Sequence, residues 1–297
     1  MVIQKARQMA NMTYSMIVQS SNKLLIGKTY WKSIVLPTIL YASAIIGFTK
    51  QEIEELQKIE NSVYRVILGA PKYTQVAALR GEIGASKMET RIRENQLKYM
   101  KYIEEHNRND LLKRILDEKK EIKNEYWIKT SEEFMKNAGL TYNMIRHAKI
   151  EIIKDKIQDW DLKNWQKEIQ EKSSLKIYKN CKQELKGEEK LYDNKTSSAI
   201  MFQARTNNLN LNDRKRFNGE ETKCFMCEGE NENLNHFILW CRGYEEERRG
   251  NLLTQQPYIE DEDKLIGELL FGEKKEEVKE LIYKFWKKRE ARKKELT

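Results

Sequence analysis

Proline and glycine are scarce, with 3 and 13 among 297 residues. That is too few for a collagen-like repeat or a turn-dense β-sandwich, and it leaves long helices as the natural use of the chain. No uninterrupted apolar run reaches the roughly 18 residues that a membrane helix needs. The most apolar stretch, Tyr30 to Phe48, is broken by Lys32, Ser33 and Pro37 and reads as a buried element. The start of the chain lacks the basic segment, apolar core and small-residue cleavage site of a secretory leader. The expected location is therefore intracellular, nuclear or cytoplasmic, with no membrane partner. Also missing are the phosphate-cradling G-x-x-x-x-G-K-[ST], the dinucleotide G-x-G-x-x-G, the peptidase H-E-x-x-H and any aromatic-x-Asp-Asp turn, which removes the motif-based routes to nucleotide hydrolysis, hydride transfer and metalloproteolysis.

What is present is charge and helical periodicity. Charged residues make up 34% and hydrophobic residues 39% of the chain, the latter including 6 Trp, 14 Tyr and 8 Phe. This suffices for helices that each bury one stripe, so the expected class is all-α. The net charge of +9 is unevenly spread. Residues 1–50 carry Lys5, Arg7, Lys23, Lys28, Lys32 and Lys50 and no acid, and residues 284–297 are again basic. Both ends favour an anionic partner, RNA or DNA, whose phosphates reward clustered cations.

Thr49 and Glu52 have capping-box form, followed by Ile53, Leu56, Ile59, Val63 and Ile67 at helical spacing until Gly69 and Pro71. Ser86 and Glu89 repeat the signal ahead of Met88 to Ile103. A shorter helix is expected at Leu111 to Leu116. From Thr141 to Ile169 the pattern predicts one long helix, or two broken near Asp159 to Asp161. Residues 170–195 are charge-dense and sparse in apolar positions. Ser197 then caps a helix, and Pro257 separates the cysteine-bearing stretch from a last charged helix around Glu273 to Arg292. The division expected is thus 1–125 helical, 126–195 a charged helical linker, 196–256 a small metal-binding region and 257–297 a terminal charged helix.

The most specific signal is Cys224-x2-Cys227-x8-His236-x4-Cys241. Zn²⁺ takes four tetrahedral N and S ligands, and a two-residue gap lets a tight turn present two thiolates to one ion. If Asn235 to Trp240 is helical, His236 and Cys241 converge from one face. Four protein ligands leave no open position, so one structural Zn²⁺ is expected, with no catalytic metal. Cys181 lies outside the spacing. Around the cluster, residues 196–250 balance eight basic against nine acidic side chains. A uniformly basic surface is excluded there, although Arg214, Lys215 and Arg216 are candidate phosphate contacts. Phe225 or Trp240 could stack on a base; equally, Phe237, Leu239 and Trp240 could serve only to cover the metal. Asp261-Glu262-Asp263 reads as a set of helix N-terminal dipole partners rather than a Mg²⁺ site. His106 and His147 have no partners nearby in sequence.

Phe202-Gln-Ala-Arg-Thr-Asn-Asn-Leu, the cysteine cluster itself and His236-Phe-Ile-Leu-Trp-Cys-Arg-Gly-Tyr through Arg248 together resemble the C-terminal region of non-long-terminal-repeat retrotransposon reverse transcriptases. Leu36-Pro-Thr-Ile-Leu-Tyr-Ala-Ser-Ala, Val63-Tyr-Arg-Val-Ile-Leu-Gly69 and Leu79-Arg-Gly-Glu-Ile-Gly84 are similar to the helical thumb that follows the palm in those polymerases. The resemblance implies a helical thumb-like bundle, a charged linker and a C-terminal zinc knuckle. It further implies nucleic-acid contacts through Lys23, Lys28 and Lys32 beside a primer-template duplex, and no polymerase activity, because the palm and its aspartates have no counterpart in this chain. A palm acting in trans is the partner this reading admits. The alternative expectation is a protein-interaction module stabilised by zinc.

Overall fold

The computed structural model describes residues 2–20, 22–41, 43–105, 110–121, 126–187, 190–193, 196–229, 231–249 and 261–296. Pro257, His106 and one or both flanks of the boundaries at 125/126, 195/196 and 256/257 lie outside those residues. The described residues are helical and contain no strand, as expected of an all-α chain. In order, the helices are α1 (Val2–Gln19), α2 (Lys23–Tyr30), α3 (Leu36–Leu40), α4 (Lys50–Leu68), α5 (Val76–Ile83), α6 (Met88–Glu105), α7 (Asp110–Glu121), α8 (Tyr126–Asn137), α9 (Tyr142–His147), α10 (Ile150–Gln170), α11 (Lys176–Cys181), α12 (Thr196–Arg205), α13 (Glu245–Arg248), α14 (Glu262–Phe271) and α15 (Lys275–Glu295).

Helix α4 follows from its local signals. Thr49 accepts from the Glu52 N–H while the Glu52 carboxylate accepts from the Thr49 N–H, closing the capping box, and Gly69 ends the helix at φ 61°. The left-handed conformation there suits glycine, which has no Cβ to clash. Its apolar stripe, Ile53, Leu56, Ile59, Val63 and Ile67, is buried throughout. Elsewhere tertiary contacts override the local cue. Helix α6 starts at Met88, whose N–H donates to Gln57 Oε1 of α4 at 2.8 Å, so Ser86 caps nothing. The break after Thr141 falls at Ala148, which is extended (φ −76°, ψ 151°), and α10 runs unbroken through Asp159 to Asp161. Asp161 does not interrupt that helix, because it faces inward and is bound by Arg80 Nη2 at 3.2 Å and Thr90 Oγ1 at 3.1 Å. Ser197 sits inside α12, donating to Glu280 Oε1, instead of capping it.

Tyr30 to Phe48 is only half buried. Trp31, Val35, Ile39 and Phe48 are interior, while Tyr41, Ile45 and Ile46 are exposed. A π-turn at Trp31–Val35 precedes Pro37, with the Leu36 N–H reaching back to the Trp31 carbonyl. Proline has no N–H for the helical ladder, and the wider turn carries the chain past that missing donor.

One buried cluster runs from Ala6, Ile17 and Trp31 through Leu56, Val63 and Leu79 to Phe202, Phe237, Tyr244 and Phe285. Apolar side chains from both ends of the chain therefore share an interior. A second cluster on α6 to α10 (Leu97, Met100, Trp127, Phe134, Ile157) holds the middle helices together. Buried ion pairs stitch the layers. Arg80 of α5 binds Asp161 and Glu168 of α10, and Arg205 of α12 binds Glu82 of α5 at 3.1 Å. In the charge-dense stretch after α10, Leu175, Tyr178, Leu191 and Tyr192 are all buried. No described helix is long and apolar enough to cross a membrane.

Candidate metal centre and basic surface

Cys224, Cys227, His236 and Cys241 converge, with one donor atom from each lying within 4.8 Å of the others. An antiparallel bridge between Lys223 and Asn231 pinches the first half of the site into a turn. Within it the Glu228 N–H donates to the Cys224 carbonyl at 2.8 Å, and Glu228 takes a left-handed φ of 57°. Gly243 packs against this turn so closely that a Cβ would lie 2.9 Å from Met226 Cβ.

The second half depends on a π-turn at His236–Trp240, where the Cys241 N–H donates to the His236 carbonyl at 2.8 Å. A regular α-helix over Asn235 to Trp240, the expectation from spacing, would not align them, because at 3.6 residues per turn positions five apart point about 140° from each other. The i to i+5 bond widens the turn, so that five residues come close to a full revolution and both ligands face one point. The Asn233 side chain accepts from the His236 N–H at 2.8 Å and starts that turn.

The donor spacing fits a bound ion. Cys224 Sγ and Cys241 Sγ are 3.6 Å apart, and Cys227 Sγ lies 3.4 Å from His236 Nε2. Tetrahedral bonds of about 2.3 Å to sulfur and about 2.0 Å to nitrogen imply edges near 3.8 and 3.5 Å. Cys224, Cys241 and His236 are buried and Cys227 is half-buried, so the cluster could hold a metal ion in an enclosed set of four ligands. Between the two buried thiols a hydrogen bond from Cys241 holds Cys224 well below the ordinary thiol range and pushes Cys241 up. A single thiolate is thus already favoured at that position.

Behind the ligands stands a buried ion pair that the sequence did not disclose. Glu232 receives Arg289 Nε at 2.8 Å and Nη2 at 2.6 Å, and its Oε2 also accepts the Asn212 N–H at 2.8 Å. Cys224 Sγ lies 3.9 Å from Glu232 Oε1. Burial works against the Arg289 cation, but the Glu232 carboxylate outweighs it and holds the proton more tightly than usual. Arg289 also sits 4.8 Å over Phe225, so that ring is covered from within the chain. Arg248 donates to the Cys241 and Ile238 carbonyls at the end of the π-turn. The available signal for Arg289 was positional, since it falls four residues after Phe285 on the buried stripe of Val278, Ile282 and Phe285.

The candidate nucleic-acid contacts are dispersed. Lys23 and Lys32 are exposed and Lys28 is half-buried, all on α2 or the π-turn after it. Lys215 and Arg216 are exposed on a 3₁₀ segment, Asn212–Asn218, and Arg216 pairs with Asp213 at 3.3 Å. The guanidinium of Arg214 is taken up internally by the carbonyls of Leu209 and Asn207, by the Asn208 side chain and by the Tyr73 ring at 4.6 Å. Trp240, 46% exposed, donates to Glu262 Oε1 at 2.9 Å. Asp261 caps α14 by accepting from the Lys264 N–H, while Glu262 and Asp263 accept from Asn235. Comparison with models of known protein families, with curated proteins and with solved structures finds no match to this chain.

Proposed function

We propose that this chain is a zinc-stabilised nucleic-acid-binding unit, similar to the thumb and knuckle at the C-terminal end of non-long-terminal-repeat retrotransposon reverse transcriptases, and that it does not polymerise by itself. One observation carries the reading. A closed Cys₃His ligand set and the acid-free cationic helices α1 to α3 are built on the same buried core.

Cys224, Cys227, His236 and Cys241 hold one Zn²⁺, which fixes the turn and the π-turn relative to each other and offers no position to a substrate. The basic helices then meet phosphates. Arg7 pairs with Glu55 at 2.8 Å, and Lys5, Lys23, Lys28, Lys32 and Lys50 are the other cations of this region. With about four to six phosphate contacts, log affinity falls with log salt at a slope of roughly −3 to −5 and little sequence preference. Filter binding across a salt series tests this. Lys23→Ala, Lys28→Ala and Lys32→Ala together should flatten the slope by about three units at most.

The protein-interaction alternative is supported by the exposed apolar side chains Met12, Val18, Leu25, Tyr41 and Ile45 in the same N-terminal region. Salt-independent or undetectable affinity for both RNA and DNA at low ionic strength would decide for it. Extension of a primed template by the pure protein above a buffer control would overturn the absence of polymerase activity, since that chemistry needs palm carboxylates holding two metal ions.

A further inference from the structure

Between the connection that follows α10, the loop after α12 and the Asn212–Asn218 segment lies an open cavity of about 490 Å³. It is within the range of about 300 to 1,000 Å³ typical of small-molecule sites. Two aromatic rings line it, Phe217 (78% exposed) and Tyr73 (48% exposed). A lone exposed ring is ordinary on a protein surface. Here, however, two rings share one groove, and each carries a guanidinium: Arg214 lies 4.6 Å from the Tyr73 centroid and Arg216 5.0 Å from that of Phe217.

The polar lining is equally specific. Asn207 stands at the rim in a left-handed conformation (φ 52°), a geometry asparagine tolerates better than most residues. Among the described residues no hydrogen bond engages the side chain of Asn207, Gln75 or Ser174, and Arg214 binds only the backbone carbonyl of Asn207, so these amide and hydroxyl groups are available to a ligand. Of the aromatic candidates beside the metal ligands, Phe225 is half-buried and Trp240 is 46% exposed, against 78% for Phe217. The most exposed of these rings therefore lies in this groove.

We infer that the groove receives an unpaired base of single-stranded RNA or DNA, stacked on Phe217, with a neighbouring phosphate against Arg216 and the base edge facing the amides of Asn207 and Gln75. Every base offers a π-face, so such a site binds single strands with little sequence preference. A paired base inside a duplex presents no free face and is excluded. The inference rests on the nucleic-acid reading above and assigns the single-stranded part of it to a groove that the lysines of α2 do not line.

The test is a fluorescence titration of the zinc-loaded full chain with an oligonucleotide carrying one 2-aminopurine, as a single strand and as a duplex, with AMP alone as a third ligand. The wild type should quench the single strand and bind AMP far more weakly. Phe217→Ala, at an exposed position, should weaken single-strand binding on the order of ten-fold and abolish the quench, with duplex affinity and zinc content unchanged. Tyr73→Leu should weaken it less. Undiminished quenching and affinity in Phe217→Ala would overturn the inference while leaving the nucleic-acid reading in place. Absence of binding to both single strand and duplex by the wild type would overturn both. Binding of AMP as tight as the oligonucleotide would reassign the groove to a free nucleotide.

Discussion

The helical bundle at the start of the chain and the knuckle near its end share a core but are held by different forces. The bundle of α1 to α4 buries Ile17, Trp31, Val35, Leu56 and Val63 at helical spacing around the buried Glu60 carboxylate, which accepts from Trp31 Nε1 at 2.8 Å, from Tyr64 at 2.6 Å and from Arg91 of α6. The knuckle buries Cys224, Glu232, His236 and Cys241 in a stretch whose own regular structure amounts to a 3₁₀ segment, a π-turn and short single turns, and it receives Arg289 from α15. Apolar burial is distributed over many contacts and degrades gradually when one is lost. A ligand set and a buried ion pair fail together when one member is removed, because the partners left behind are charged and desolvated. The apolar stripe of the bundle should therefore be tolerant and the knuckle brittle.

Removal of the proposed zinc is the sharpest way to expose that contrast. Structural zinc supplies on the order of 10 kcal/mol to a small site. Cys241→Ala, or chelation, should abolish binding of one equivalent of Zn²⁺ by metal analysis. Amide exchange should then open residues near 220–245 while α4 stays protected. A metal-free chain whose Trp240 fluorescence does not respond to added Zn²⁺ would contradict the whole assignment.

Next in size is Arg289→Ala, which leaves Glu232 buried without its cation and should cost about 3–5 kcal/mol. The paired change Glu232→Gln with Arg289→Met removes both charges and should recover much of that loss in denaturant melts. If the double change is as damaging as the single one, packing of Arg289 on Phe225 and Trp286 matters more than its charge.

The bundle is probed by Gly27→Ala. A Cβ there would lie 2.7 Å from Ile67 Cγ1 and 2.8 Å from Ile17 Cδ1, so the branched chains must shift. A cost of about 1–3 kcal/mol without loss of zinc is expected, since overpacking is spread over neighbouring side chains.

The smallest effect concerns pH. The Lys176 ammonium, 2.5 Å from Asp263, together with the Asn235 amide holds that carboxyl below its usual range and ties α11 to α14. A depressed folded-state value gives stability above the unfolded pKa of about 3.9, lost as pH falls through the folded one. Asp263→Asn should melt earlier than wild type at pH 7, and the gap should narrow as the pH falls below the unfolded value and through the depressed folded one. A gap that does not narrow would mean that the side chain acts by packing alone.

Local sequence was sufficient wherever neighbouring residues decide the outcome. Thr49 and Glu52 cap the helix they precede, Gly69 ends it, and the stripe from Ile53 to Ile67 names its buried face, because caps and periodicity act within a few residues. The four ligands were legible for the same reason, two thiols in one turn and a His and Cys near each other further on. Only the tertiary structure decided how the last two converge, by a π-turn, and what stands behind them, since Glu232 and Arg289 are 57 positions apart. Tertiary contact likewise moved the helix break from Asp161, held inward by Arg80 from 81 residues away, to Ala148. It also brought Tyr73 and Phe217 into one groove while giving Phe225 and Arg214 internal partners. Residue type and spacing specify which side chains can bury, cap or ligate, but the partner each one meets depends on chain segments that no local pattern contains.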